Sequence, residues 1–317
     1  MSRWTVFFGV VVGLFILGRV YYRVTDDFRM GNMTYEVPNR AEWEPTPLTP
    51  EELSHVKQIL NQPYHYLGKG AQSYAFLSAD DDYVLKFFKF KHLRQAGWVS
   101  LVPSIPPFDK WKEADLQKKE AKLASVFAGY MMSYNLHKQE SGIVYLHFNK
   151  TVGVLGTVKV HDKIGIEHTI DLDQVMFILQ RKVKPMRGVI VGLLNKGETA
   201  QAIAMINKTF DLYMSEYKKG IYDRDHGVMH NTGYITLNNG NVIAVHLDVG
   251  KMTHEPKMQQ VAYFAPDLEK VGRKIDAWLA MNYPKYYPEI SKAMEERLSH
   301  EFGKPFLFKD APSKPPQ

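Results

Sequence analysis

The chain has 317 residues, 45% of them apolar and 13% aromatic, enough to bury a sizeable core in one two-lobed unit or two small domains. A net charge of +6 without a long Lys/Arg block argues against a surface that tracks DNA or RNA, so nucleic acid is not an expected partner. The absence of cysteine excludes disulfides, a thiolate nucleophile and cysteine-based zinc or iron–sulfur sites.

The first element is the uncharged run WTVFFGVVVGLFIL, Trp4–Leu17, which Val20, Tyr21 and Tyr22 extend past Gly18 and Arg19. At about 1.5 Å per residue it approaches the roughly 30 Å thickness of a bilayer's hydrocarbon core. Residues 1–23 therefore read as a transmembrane signal-anchor helix with the lipid bilayer as partner. A cleaved signal peptide is the alternative, but no small-x-small cleavage site follows the run. Arg19, Arg23 and Arg29 follow the span and only Arg3 precedes it, which favours a single-pass protein with its C-terminal side in the cytoplasm. Gly9 and Gly13 form a GxxxG pattern through which two spans would pair into a dimer.

Residues 24–50 turn polar and then Pro-rich (EVPNRAEWEPTPLTP) and read as a tether. Thr49-Pro50-Glu51-Glu52 carries the start of a helix running to about Gln62: a Thr cap, Pro at the first position and Glu at the third. YHYLGKGAQSYAFLSADDDYVLKFFKF predicts two or three short strands joined by a glycine turn and an Asp80–Asp82 turn. A long helix is expected over 109–136. Strands are expected in GIVYLHF, TVGVLGTVKV, IEHTIDL and VMFILQRKV, and a helix over 198–218. After a polar stretch come a turn at Asn238-Asn239-Gly240, the strand NVIAVHLDVG, and helices near 257–282 and 286–301. The tail KDAPSKPPQ, residues 309–317, reads as disordered.

Four places carry chemistry. Gly68-Lys69-Gly70-Ala71-Gln72-Ser73 lies between two strands, where glycines let backbone N–H groups approach phosphate oxygens; a plain hairpin turn is the competing reading. It is neither a Walker A loop nor a Rossmann turn. On the 109–136 helix, Leu116, Glu120, Leu123, Phe127 and Met131 share one face, so Glu120 interrupts an apolar stripe and calls for a cation. Lys86, on the strand YVLKFF, is the natural partner. In HLDVG, Asp248 ends a strand before a flexible glycine. The stretch GIYDRDHGVMHNTGYI, residues 220–235, gathers Asp223, Arg224, Asp225, His226, His230 and Asn231. It reads as a phosphoryl-transfer loop, a histidine metal site built on His226 and His230, or a polar turn.

In chain order these pieces resemble the protein kinase-like superfamily, as an atypical or small-molecule-kinase-type member or a pseudokinase. The resemblance covers roughly residues 60–255 and implies an α+β, two-lobed fold with ATP between the lobes. It implies an antiparallel-sheet N-lobe with one long helix over 51–184, and a shortened helical C-lobe with the catalytic and metal loops over 185–308. Gly68, Gly70 and Ser73 would cover the phosphates. Lys86, held by Glu120, would contact the α- and β-phosphates, and the backbone of Gln180–Val183 would meet the adenine. Asp225 would be the catalytic base, and Asn231 and Asp248 would hold Mg²⁺. The chain departs from the family pattern at Asp223, which stands where a His is usual, in the longer spacing to Asn231, in Ser73 and in Val249. The implied activity is that of an ATP- and Mg²⁺-dependent phosphotransferase acting on a small molecule or protein, or the chain is a membrane-tethered pseudokinase serving as scaffold. A metal-dependent hydrolase is the third reading.

Overall fold

The computed structural model describes residues 3–34, 37–90, 108–237 and 239–308, so the tail expected to be disordered and Asn238 of the expected turn lie outside the described residues. The chain is α+β and divides into two compact units, residues 1–123 with 144–180 and residues 124–143 with 181–317. The division falls inside the long helix and near the end of a strand, not at the expected boundary at 184.

In the first unit, α1 (Arg3–Val24) has 22 residues with exposed side chains and an 18-residue stretch of mean hydropathy 1.8, long and apolar enough to cross a membrane. It ends on a left-handed cap: Asp26 and Asp27 have φ of 54° and 62°, and the Asp27 N–H donates to the Tyr22 carbonyl at 2.7 Å. The stretch 24–50, read from sequence as a tether, is docked at several of its described residues. Phe28, Met33 and Trp43 are buried, and the Phe28 ring stands edge-on to Tyr74 and Phe76. The aromatic residues scattered among the polar ones and prolines are the reason, since each removes a large apolar area from water when docked. A short α2 (Met30–Met33) forms within this segment. Then α3 (Pro50–Leu60) starts on the full capping box: Thr49 Oγ1 accepts from Glu52 N, and Glu52 Oε2 from Thr49 N.

Seven strands form one mixed sheet. In chain order they are β1 (Tyr64–Lys69), β2 (Ser73–Ser78), β3 (Tyr83–Phe88), β4 (Ile143–His147), β5 (Thr157–His161), β6 (Glu167–Asp171) and β7 (Phe177–Arg181). Their spatial order is β4-β7-β3-β2-β1-β5-β6, parallel where β1 meets β5. Alternation of buried and exposed residues in β2 and the unbroken apolar FIL of β7 set the faces, closing on a core of Tyr64, Phe76, Phe87, Val160, Ile170 and Phe177. The strand expected over TVGVLGTVKV is shorter than it reads: residues 151–156 wrap around Asp173, whose carboxylate accepts from the N–H groups of Val154, Leu155 and Gly156 at 3.2 Å.

The second unit is mostly helical. It takes the C-terminal half of α4 (Phe108–Leu136), then α5 (Lys138–Ser141), α6 (Met186–Asn195) and α7 (Thr199–Lys218). After α8 (Val228–Asn231), the helices α9 (Val261–Asn282) and α10 (Tyr287–Phe302) complete it. Ile190, Phe210, Leu268, Ile275, Met294 and Leu298 form its core. α6 was not expected from sequence, because Gly188 and Gly192 weaken the helix signal over 186–195. Short strands are set among these helices: β8 (Lys184–Pro185), β9 (Ile221–Asp223), β10 (Thr232–Thr236), β11 (Val242–His246) and β12 (Met252–His254). β10 joins β11 and β8; β9 pairs with β12.

Candidate functional site

Within the sheet-rich unit, Gly68 follows a bulge near the end of β1, and the Gly70 N–H donates to the Ser73 carbonyl at 2.9 Å to close the turn. Open space lies where a Cβ would stand on Gly68, and only Ser73 Oγ, at 3.9 Å, approaches the equivalent point on Gly70. The Gly70 N–H is thus engaged within the turn and its carbonyl accepts from Lys89 Nζ, while the space on the Cβ side of both glycines is open. Lys86 lies on β3 opposite Ala75 of β2, half-buried. Gln180 is buried near the end of β7.

Glu120 corrects the sequence analysis. Its side chain is 43% exposed, and its carboxylate lies 3.7 Å from the Arg40 guanidinium. The stripe to which it was assigned is fully buried only later in the helix, at Phe127 and Met131, because the turns around Glu120 face solvent. No buried charge therefore demands a partner there.

Within the helical unit, β9 delivers the chain into Arg224-Asp225, and α8 returns Asn231 to the same place. The Asn231 side-chain amide stands beside the Asp225 carboxylate and favours its ionised form. Lys251 Nζ lies 2.9 Å from Asp225 Oδ2. Burial would raise the Asp225 carboxyl, but the Lys251 ammonium and the Asn231 amide together hold it below the usual carboxylate range. The Asn231 carbonyl accepts from Leu247 N at 2.7 Å, which ties this loop to the end of β11 and so to Asp248. Asp248 is exposed; its Oδ1 accepts from Tyr130 OH and from Gly250 N, each at 3.0 Å. Gly129 makes that contact possible: a Cβ there would stand 2.6 Å from the Val249 carbonyl oxygen, so the helix backbone meets the Asp248–Gly250 turn directly. Val183 packs where a Cβ on Gly233 would clash, 2.6 Å from its Cγ1.

Asp225, Asn231 and Asp248 thus share one neighbourhood. They offer two carboxylates and an amide, whose oxygen atoms are the kind of donor that suits Mg²⁺. The histidines are otherwise occupied: His226 Nε2 lies 2.5 Å from Asp267 Oδ1, and His230 is exposed. Among the described residues no three His, Asp or Glu side chains gather closely enough to hold a metal ion on their own.

Beneath this loop lies a charged network that the sequence analysis missed. Glu216 of α7 is fully enclosed, with His246 Nε2 at 2.6 Å and His137 Nε2 at 3.1 Å from its Oε1. His246 Nδ1 is 3.9 Å from Asp223 Oδ2, and Asp223 Oδ1 accepts the Asp225 N–H at 2.7 Å. The far side of His137 meets Lys219 Nζ at 3.1 Å. Burial pushes the Asp223 carboxyl up to about 6 against the pull of His246. Glu216 goes the other way: burial would raise it, yet the two imidazoles hold it far below the usual range. His246 rises, because Glu216 outweighs its burial. The signal was present in sequence, since Glu216 sits between Tyr213 and Tyr217 on a helix whose apolar face includes Ile206 and Phe210.

No known protein-family model matches the chain, and no curated protein sequence matches it either.

Proposed function

We propose that the chain is a membrane-anchored member of the protein kinase-like superfamily that binds ATP with Mg²⁺ and phosphorylates a hydroxyl acceptor. The observation that carries the reading is the convergence of Asp225, Asn231 and Asp248, with Asp225 kept ionised by Lys251 and Asn231. A sheet-rich unit followed by a mainly helical one agrees with that architecture. In this reading the open turn at Gly68, Gly70 and Ser73 covers the phosphates and Lys86 neutralises them. Gln180 and Val183 meet the adenine through their backbone. The acceptor hydroxyl attacks the γ-phosphorus, the bond to the β–γ bridging oxygen breaks, ADP leaves, and the hydroxyl proton passes to Asp225. Asn231 and Asp248 would hold Mg²⁺, which would supply positive charge to offset that of the phosphates. Glu120 takes no part unless it reaches Lys86 from its exposed position. The apolar α1 anchors the protein in a membrane in this reading, with the C-terminal units on the cytoplasmic side where ATP is abundant.

A second reading, a nucleotide-binding scaffold without turnover, draws on Lys251: a cation on the carboxylate that should accept a proton opposes that role. Equilibrium titration with ATP in the presence and absence of Mg²⁺ tests the shared part. Binding that requires Mg²⁺ and weakens at least tenfold, about 1.4 kcal/mol, in both Lys86→Met and Asp248→Asn is the expected result. No binding by the folded protein contradicts it. An Asp225→Asn variant that binds but no longer transfers phosphate selects the enzyme; a native protein that binds and never transfers selects the scaffold.

A further inference from the structure

The exit of α1 from its apolar run is clamped to the sheet by Asp26 and by its neighbour Asp27, whose carbonyl accepts from Tyr74 OH. Asp26, two positions past the end of the helix, takes Lys163 Nζ on its Oδ2 at 3.0 Å and Tyr66 OH on the same oxygen at 3.2 Å. Lys69 Nζ donates to the Asp26 carbonyl at 3.1 Å. Lys163 belongs to the turn between β5 and β6, and that turn is rigid. Asp162 Oδ1 accepts from Ile164 N and Ile166 N at 3.0 and 2.9 Å, Gly165 takes a φ of 85°, and Asp162 N donates to the Ile166 carbonyl.

This rigid turn presents Ile164 and Ile166 to solvent, 46% and 45% exposed, and Leu67, next to Tyr66, is 53% exposed. Aliphatic side chains flanking lysines at the mouth of an apolar helix have one natural occupant, the bilayer into which that helix runs. The depths agree. A 30 Å hydrocarbon core takes about 20 residues of helix, from Trp4 to near Arg23. Asp26 then lies at most about 7 Å of chain beyond Val24, within the headgroup layer of roughly 5–8 Å. Lys163 meets Asp26 at that level, and the isoleucines flank it.

We infer that the Asp162–Ile166 turn is a second membrane contact, in which Ile164 and Ile166 enter the bilayer interface beside the emerging α1 and fix the orientation of the sheet-rich unit on the lipid surface. Lys163 and the two isoleucines act as an amphipathic tip, the cation at the headgroups and the aliphatic chains below. The same clamp holds Lys69, so the Gly68–Gly70 turn stays at the membrane surface. The inference rests on α1 as a membrane span and not on nucleotide binding.

Because the chain has no cysteine, one introduced thiol gives a unique site for an environment-sensitive fluorophore. The full chain, reconstituted in phosphatidylcholine–phosphatidylserine vesicles, would be labelled singly in Ile164→Cys, Ile166→Cys, Val152→Cys and Val11→Cys. Val152, 92% exposed and beyond the other end of the β5–β6 hairpin, is the water-exposed reference, and Val11 reports on the span. The expected result is blue-shifted emission at both isoleucine positions, quenched by lipid nitroxides at shallow depth, with Val152 unaffected and Val11 quenched by deep nitroxides. Val11 quenched with either isoleucine label indistinguishable from Val152 overturns the inference and leaves the anchor standing. An unquenched Val11 removes the anchor, and the inference with it.

Discussion

Asp173 and Glu216 are both enclosed carboxylates, one in each unit, and they are satisfied in opposite ways. Asp173 faces the backbone N–H groups of Val154, Leu155 and Gly156, donors that carry no charge of their own. Glu216 faces two imidazoles, with His246 linked onward to Asp223 and, through its N–H bond, to Asp225. The first arrangement shapes a turn and changes little with pH above the carboxylate range. The second links the protonation of Glu216, His246 and Asp223 beneath the candidate base. Burying ionised groups costs several kcal/mol each unless partners are in place, so a network of this kind concentrates both stability and pH sensitivity in the helical unit.

The largest expected effect comes from breaking that network. Glu216→Ala leaves two enclosed imidazoles without their anion and should cost about 3–5 kcal/mol, read as a drop of several degrees in the unfolding transition. A variant as stable as the native chain would show that the imidazoles are neutral and the network is ordinary hydrogen bonding. Asp223→Asn probes the pH dependence. The native carboxyl is raised to about 6 from 3.8, so its ionised form costs nothing below pH 4 and destabilises increasingly as pH rises through 6. That shift is worth roughly 3 kcal/mol at full ionisation. Asn cannot ionise, so the stability of Asp223→Asn relative to the native chain should improve from pH 4 to pH 7 in chemical denaturation. A flat difference would place the titration elsewhere. Gly129→Ala pushes a methyl into the Val249 carbonyl and should cost about 1–3 kcal/mol, while weakening Mg²⁺-dependent binding through Asp248. At the rim of the sheet-rich unit the same chemistry is worth little. Glu120→Ala removes an exposed partner of Arg40 and should change stability by less than about 1 kcal/mol; a larger loss would mean that Glu120 serves a buried partner after all.

The contrast also explains which features a sequence reveals and which it hides. Elements with strong local signals were legible: the apolar run of α1, the Thr49–Glu52 box that opens α3, and the helices around 108–136 and 199–218. Asp225, Asn231 and Asp248 stand out in the sequence as polar residues at a loop and a strand end, and the roles given to them are part of the proposal. Glu120 was misplaced and Glu216 overlooked for the same reason. Helical periodicity tells which residues share a face, but tertiary packing decides which turns of a long helix are covered. Lys251 and Gly129 were invisible because each acts on a residue more than twenty positions away. The burial of Phe28 and Trp43 within the expected tether escaped notice because they lie in a polar, Pro-rich stretch.

The central claim is Mg²⁺-dependent ATP binding at the residues named, and the melting temperature of the full chain tests it most directly. At ligand about a hundredfold above Kd, binding should stabilise the fold by roughly 2.7 kcal/mol. The account predicts an upward shift that needs both ATP and Mg²⁺ and vanishes in Lys86→Met and Asp248→Asn. A folded protein whose transition is unmoved by Mg²⁺ and ATP would contradict it.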